Sequence, residues 1–224
     1  MLRAALAALL AMTAAAHAEQ VETPDYRVAA SAPAEGVEGT VEARLYAPMI
    51  VAETIVSAAS RDEASSKGFM PLAGYIFGRN GPDAAATTSA PADGGVPKGP
   101  GERIAMTAPV TTAPAMSETE PKEEYRVRFM MPARYTIDTL PEPADPDVKL
   151  LQVPERAIVA LGFTGARTQA RVDATAAAVD RFVEAKGLEA DGPYAVAGYD
   201  GPDVPESERR WEVQQPVRSL EPLR

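Results

Sequence analysis

The side chains that most often carry out catalysis or bind metals are nearly absent from this chain. Its 224 residues include one histidine, His17, and no cysteine. Imidazole and thiolate groups dominate zinc sites, cysteine nucleophiles and general acid–base catalysis. Serine–lysine pairs or paired carboxylates stay open as alternatives, although these residues cluster in turns and on polar helix faces. The sequence therefore favours a binding protein over an enzyme, and no metal site is expected.

Methionine is the side chain whose distribution suggests binding. An unbranched thioether fills irregular apolar space and adapts to varied ligands. The alternative for each methionine is ordinary packing in the core. Five of them lie near the predicted barrel-lining strands and the first predicted helix: Met49, Met70, Met106, Met130 and Met131.

Two adjacent arginines provide a second binding feature. Arg209 and Arg210 precede Trp211, the only tryptophan in the chain. A guanidinium group can receive a ligand carboxylate through two parallel hydrogen bonds. The same arginines can instead pair with surface acids, and the sequence leaves both interpretations open.

The first eighteen residues have the layout of a secretory signal peptide. A short positive segment (residues 1–3) precedes an apolar segment (residues 4–15) and a small-residue cleavage site (residues 16–18). We expect cleavage after Ala18, a soluble mature protein without a membrane span, and a secreted or periplasmic location. A retained N-terminal anchor is the alternative. Cleavage would remove His17, so the mature protein would contain no histidine.

The charge balance argues against two classes of partner. The chain has 22 Lys and Arg against 32 Asp and Glu, a formal net charge of −10. An acidic surface repels nucleic acid and anionic lipid, so we expect neither as a partner. The oligomeric state cannot be read from the sequence.

Periodic patterns predict two similar units, each with the order strand, helix, strand, strand. A Ser-x-x-Glu capping box at Ser60–Glu63 opens the first helix, which runs to about Gly74. The second helix has a buried stripe of Val172, Ala176, Val179, Phe182 and Val183. The predicted strands are Val41–Tyr46, Met49–Val56, Arg103–Val110, Glu124–Met131, Val148–Val153, Ala157–Leu161, Pro193–Tyr199 and Arg210–Gln214, and the second helix spans Thr168–Lys186.

This repeat predicts an α+β fold in which the duplicated units form a distorted antiparallel β-barrel flanked by two helices. The predicted organisation is a flexible linker at residues 19–37, one domain at 38–218 and a C-terminal tail at 219–224. A low-complexity insert at residues 81–101 interrupts the domain, either as a surface loop or as a lid.

Four motifs, in order along the chain, resemble the SOUL haem-binding protein family. They are Gly74–Asn80, Arg103–Val110, Phe129–Pro132, and Ala197–Pro202 continuing through Arg209–Val213. The similarity runs from about Val41 to Val217. It implies the duplicated barrel and non-covalent binding of haem or a related tetrapyrrole in an apolar groove, as a carrier or buffer. The same barrel also resembles the effector-binding domains of bacterial regulators.

The resemblance also implies a site on the first helix. Without histidine, haem would be held by apolar contact and propionate pairing, or by tyrosine or methionine ligation. The alternatives are a tetrapyrrole-modifying enzyme, acting by degradation or metal removal, and a binding module for another small apolar ligand. The predicted ligand-binding residues are Ser66, Lys67, Phe69, Met70, Ala73, Met106, Arg209 and Arg210.

Overall fold

The computed structural model describes residues 21–82, 95, 98–115 and 124–223. The predicted signal peptide and most of the predicted 81–101 insert lie outside these residues. The described residues form nine strands, two α-helices and two short 3₁₀ turns at Glu206–Glu208 and Glu221–Leu223. The main elements are β1 (Tyr26–Pro33), β2 (Thr40–Tyr46), β3 (Met49–Ser57), α1 (Arg61–Ile76), β4 (Val110–Pro114), β5 (Glu124–Met130), β6 (Lys149–Val153), β7 (Arg156–Thr164), α2 (Gln169–Ala185), β8 (Ala195–Gly198) and β9 (Arg210–Val217).

The nine strands form a single antiparallel sheet in the order β1-β2-β7-β9-β8-β4-β5-β3-β6. The sheet curls into a half-barrel, and both helices cover its outer face. Helix α1 packs against β3, β4 and β5, and α2 packs against β2, β7 and β9. The predicted class, an α+β fold with a distorted antiparallel barrel and two flanking helices, is confirmed. The inner, concave face of the sheet carries no helix of the described residues.

The sheet consists of two repeated units joined by exchanged strands. The first unit is β3-α1-β4-β5 and the second is β7-α2-β8-β9, and they meet where β4 pairs with β8. The strand that precedes each unit pairs with the long strand of the other unit. Thus β2 lies against β7, with Glu42 opposite Ala160, and β6 lies against β3, with Leu150 opposite Ala52.

Local sequence signals set the helix boundaries. Ser60 Oγ accepts a hydrogen bond from the Glu63 backbone N–H at 3.2 Å, which confirms the predicted cap of α1. Thr168 caps α2 in the same way through the Arg171 backbone N–H, and Gly187 (φ +62°) follows its last turn in the left-handed region.

The two cores are separate. The predicted stripe of α2 is buried as expected and packs against β2, β7, β8 and β9. The core under α1 includes Leu72, Tyr75, Val127 and Phe129.

Three sequence predictions differ from the structure. Part of the predicted linker is strand β1, which pairs with β2 from Tyr26 to Pro33. The predicted strand Arg103–Val110 is extended chain with isolated backbone pairings at Arg103 and Thr107, and regular pairing begins only at Val110. Its backbone groups bond to separate partners, among them the carbonyls of Ile76 and Glu22, so no continuous ladder forms. In the predicted C-terminal tail, Leu220 and Leu223 pack against the α2 core.

Gly68 marks the closest approach of α1 to the sheet, and it yields a test of the packing. A Cβ atom at this position would lie 2.5 Å from Val127 Cγ2. Alanine has the higher helix propensity by about 1 kcal/mol, but overpacking costs about 1–3 kcal/mol. We therefore expect Gly68→Ala to lower the free energy of unfolding, measured by urea denaturation.

Two controls separate the clash from the change in helix propensity. Ser66→Ala lies on the exposed side of the same helix and should change the free energy of unfolding by a few tenths of a kcal/mol. Adding Val127→Ala should cost less in the Gly68→Ala background than in the wild type. A Gly68→Ala protein that is more stable than the wild type would contradict this packing.

Candidate functional site

Four of the five α1 residues predicted to bind ligand are at least partly exposed. Ser66 and Lys67 are exposed, and Phe69 and Met70 are half-buried. Ala73 is fully buried in the core beneath the helix. The ring of Phe69 packs against that of Phe129, with 5.4 Å between their centroids. Much of the apolar surface predicted for a ligand is therefore used in packing α1 onto the sheet.

Lys67, the cationic residue predicted on this helix, already has partners within the protein. Lys67 Nζ lies 2.6 Å from Glu63 Oε1 and donates a hydrogen bond to the Ser57 carbonyl. These contacts hold Lys67 along the surface of α1, where solvent screens the ion pair.

The remaining predicted residues lie elsewhere. Arg210 forms a forked ion pair with Asp200 (2.7 and 2.9 Å), which lowers the pKa of that carboxyl group. Arg209 donates hydrogen bonds to loop carbonyls at Val204 and Pro202. Met106 is exposed on the segment that precedes β4. Arg210 thus pairs with an acid, as in the second of the two interpretations that the sequence left open, whereas Arg209 bonds to backbone carbonyls.

A cavity lies at one end of the half-barrel, where the β2–β3 and β6–β7 turns meet the end of β5. We call it the methionine cleft, because Met49, Met130 and Met131 line it together with Tyr135. Its volume is about 530 Å³, within the range of small-molecule and cofactor sites. Three of the five methionines predicted from the sequence as binding surface therefore share one cavity.

A smaller pocket of about 190 Å³ opens on the concave face and adjoins the cleft through Met49 and Met130. Arg126, Arg128 and Arg156 line it, and we call it the arginine pocket. Sequence reasoning missed it because Arg126 and Arg128 alternate along β5 with apolar residues, a pattern typical of a solvent-facing side. In a curled sheet that face is the inside of the barrel, so two arginines at i and i+2 were the available signal.

The other half of the concave face carries a fully paired polar network. Arg44 lies 2.8 Å from Glu212 Oε1 and donates to the Tyr46 hydroxyl. Tyr199 and Gln214 donate to the second oxygen of Glu212 at 2.7 and 2.8 Å. Burial tends to lower the pKa of Arg44, but Glu212 and Tyr46 outweigh it and the pKa lies above its ordinary value. Burial and the charge of Glu212 raise the pKa of Tyr46 to about 12.

The arginine pocket has no such balance. Arg126 and Arg128 share a single carboxylate oxygen of Glu53, at 3.3 and 2.6 Å. Arg156 has a weak hydrogen bond to the Met49 sulfur at 3.6 Å, and its Nη1 atom is buried without a partner among the described residues. Burial and the charge of Arg128 lower the pKa of Arg156. The pocket therefore combines three arginines with the shared carboxylate of Glu53 and the exposed carboxylate of Asp191.

The structure thus combines a curled antiparallel sheet, a duplicated unit and a cleft of the size that small-molecule sites have. The sequence matches the model of the SOUL heme-binding protein family over residues 21–216. The chain belongs to this family, as its motifs predicted. Membership suggests binding of haem or another tetrapyrrole.

Solved structures share the fold at low sequence identity. The EcmrR–DNA complex is similar with a TM-score of 0.54 and 14% identity, over 80% of this chain and 57% of that one. A hydrolase from Listeria innocua has a TM-score of 0.50 and 13% identity, over 79% of this chain and 91% of that one. No curated protein matches the sequence at a significant level.

Two properties concern only the residues that the structure describes. None of their helices combines the length and apolarity needed to cross a membrane. Their His, Cys, Asp and Glu side chains form no group of three or more that could hold a metal ion.

The contrast between the paired and unpaired arginines predicts opposite effects on stability. Arg44→Met should lower the free energy of unfolding by about 3–5 kcal/mol, because it leaves the buried Glu212 carboxylate without its cation. Arg156→Met should leave that free energy unchanged or raise it, because no carboxylate loses a partner. Denaturant unfolding of both variants checks this difference. Equal losses of stability would contradict the assignment of Arg156 as unpaired.

Proposed function

We propose that the protein binds haem or a related tetrapyrrole non-covalently and acts as an exported carrier or buffer. The observation that carries this proposal is the family match over residues 21–216. The structures of similar fold contribute no ligand assignment, because their sequence identity is too low.

The proposal of export rests on residues 1–18. It is tested by mass spectrometry of the secreted or periplasmic protein, whose first residue should be Glu19.

The methionine cleft supports the proposal through its size and its chemistry. A tetrapyrrole macrocycle is flat and apolar, and thioether side chains adapt to such a shape. The cleft contains Met49, Met130 and Met131, and methionine sulfur also ligates haem iron. Tyr135 supplies a phenol at the same cleft, with its hydroxyl donating to Glu102 Oε1 at 2.6 Å. In this proposal haem is cargo, and apolar contacts and thioether groups hold it.

We place the macrocycle in the methionine cleft, with the outer side of α1 as the alternative location. Ala73 is buried and Phe69 packs on Phe129, so α1 offers the smaller apolar surface. The cleft is bounded by two strand connections, at Pro48 and Pro154, and by the end of β5. Residues from the segments 22–25 and 132–137, which lie outside the strands, complete its walls.

A titration with haem and with protoporphyrin tests the function and the location together. The expected result is saturable one-to-one binding, seen as a Soret-band shift and as quenching of Trp211. Met49→Gln should weaken binding about tenfold, because a half-buried thioether contact is replaced by a polar amide. Met70→Gln is the matched control, a half-buried methionine on α1, and should bind as the wild type does.

The outcomes are distinct. Weaker binding by Met70→Gln and Phe69→Ala, with Met49→Gln unaffected, would move the site to α1. Binding of neither probe at micromolar concentration would refute the tetrapyrrole proposal, while the fold and the family would stand.

A further inference from the structure

The arginine pocket concentrates positive charge in an acidic protein. The whole chain has a formal charge of −10, yet Arg126, Arg128 and Arg156 line one small pocket. Glu53 is the carboxylate that compensates two of them. Asp191 also lines the pocket, but it is exposed, where water screens its charge. A pocket with uncompensated buried cations attracts an anion from solution.

Arg156 identifies the point at which an anion would bind. Its Nη2 atom donates to the weakly accepting sulfur of Met49, and its guanidinium carbon lies 5.4 Å from the centre of the Tyr46 ring. Its Nη1 atom is buried and has no acceptor in the described part of the chain. Buried polar groups in native proteins nearly always have a partner, and exceptions mark functional sites or places where a ligand or water binds. A carboxylate or another oxyanion would satisfy this donor with two hydrogen bonds.

Part of the wall around the arginines is apolar. Val51, Ile158, Met49 and Met130 line the same pocket. Leu151, opposite Val51 on the edge strand β6, is 37% exposed on the same face of the sheet. An occupant therefore needs an anionic group for the guanidinium groups and an apolar body for these walls and the adjoining methionine cleft.

We infer that the arginine pocket binds the oxyanion group of an amphipathic small molecule, with Arg156 as its principal contact. Arg126 and Arg128 supply the supporting positive charge, and Glu53 fixes their positions across β3 and β5. The pocket selects anionic over cationic ligands. This inference goes beyond the proposed function, because it requires only an oxyanion on an apolar body and not a tetrapyrrole.

Calorimetric titration of the full protein with two probes of opposite charge tests this selectivity without any substitution. Decanoate and decyltrimethylammonium have alkyl chains of nine and ten carbons and differ in the charge of the head group, so the slightly longer chain of the cation works against the expected preference. Decanoate should bind saturably, and at least about tenfold more tightly than decyltrimethylammonium, as expected for one charge-assisted contact. Equal binding of the two probes, or tighter binding of the cation, would overturn the inference.

Variants locate the contact. Arg156→Gln should weaken decanoate binding by about 10- to 100-fold, and Arg156→Lys should retain part of the affinity through its charge. Arg27→Gln is the matched control, an exposed arginine on β1, and should bind decanoate as the wild type does. Decanoate binding that is unchanged in Arg156→Gln would refute the role of Arg156. Because this assay contains no tetrapyrrole, it can fail or succeed independently of the haem titration.

Discussion

The ion pair between Arg44 and Glu212 illustrates the main physical constraint on this fold. A charge buried inside the curled sheet lowers stability unless a partner of opposite charge lies beside it. Both side chains are buried on the concave face, where water cannot replace a missing partner. Glu212 is surrounded by donors from β2, β9 and the chain that follows β8. This half of the concave face is filled by its own contacts, and the arginine pocket lies in the other half, with Tyr46 and Gln214 at the boundary between them.

The duplication shows how the two halves diverged. Strand pairing places Glu53 of β3 opposite Arg128, and Ala160 of β7 opposite Gln214. Arg128 in the first unit is therefore equivalent to Gln214 in the second. Two residues earlier on the same strands, Arg126 is equivalent to Glu212. One position is therefore a cation in one unit and an anion in the other. Positions that contribute to the internal polar network in the second unit are equivalent to positions that line the arginine pocket in the first unit.

The sequence predicted those strands and helices whose side-chain pattern is visible within the single segment. The alternation of β5 and the buried stripe of α2 are visible in single segments, so both were found. Strand β1 was missed because it has few large apolar residues and is held by backbone pairing with β2. Residues 103–109 alternate like a strand, but their backbone groups bond to scattered partners. The arginine pocket was hidden because Arg156 is 28 residues beyond Arg128 and meets it only through the curl of the sheet.

The exchanged strands make completion of the sheet depend on segments that are far apart in the chain. Strand β2 is made early, but its partner β7 lies more than a hundred residues later, and β3 likewise waits for β6. Pairings between such distant segments require closure of long loops and form slowly. The first half of the chain therefore cannot complete its sheet until the second half is available to pair with it. By itself, the first half would be a sheet with open edges at β2 and β3.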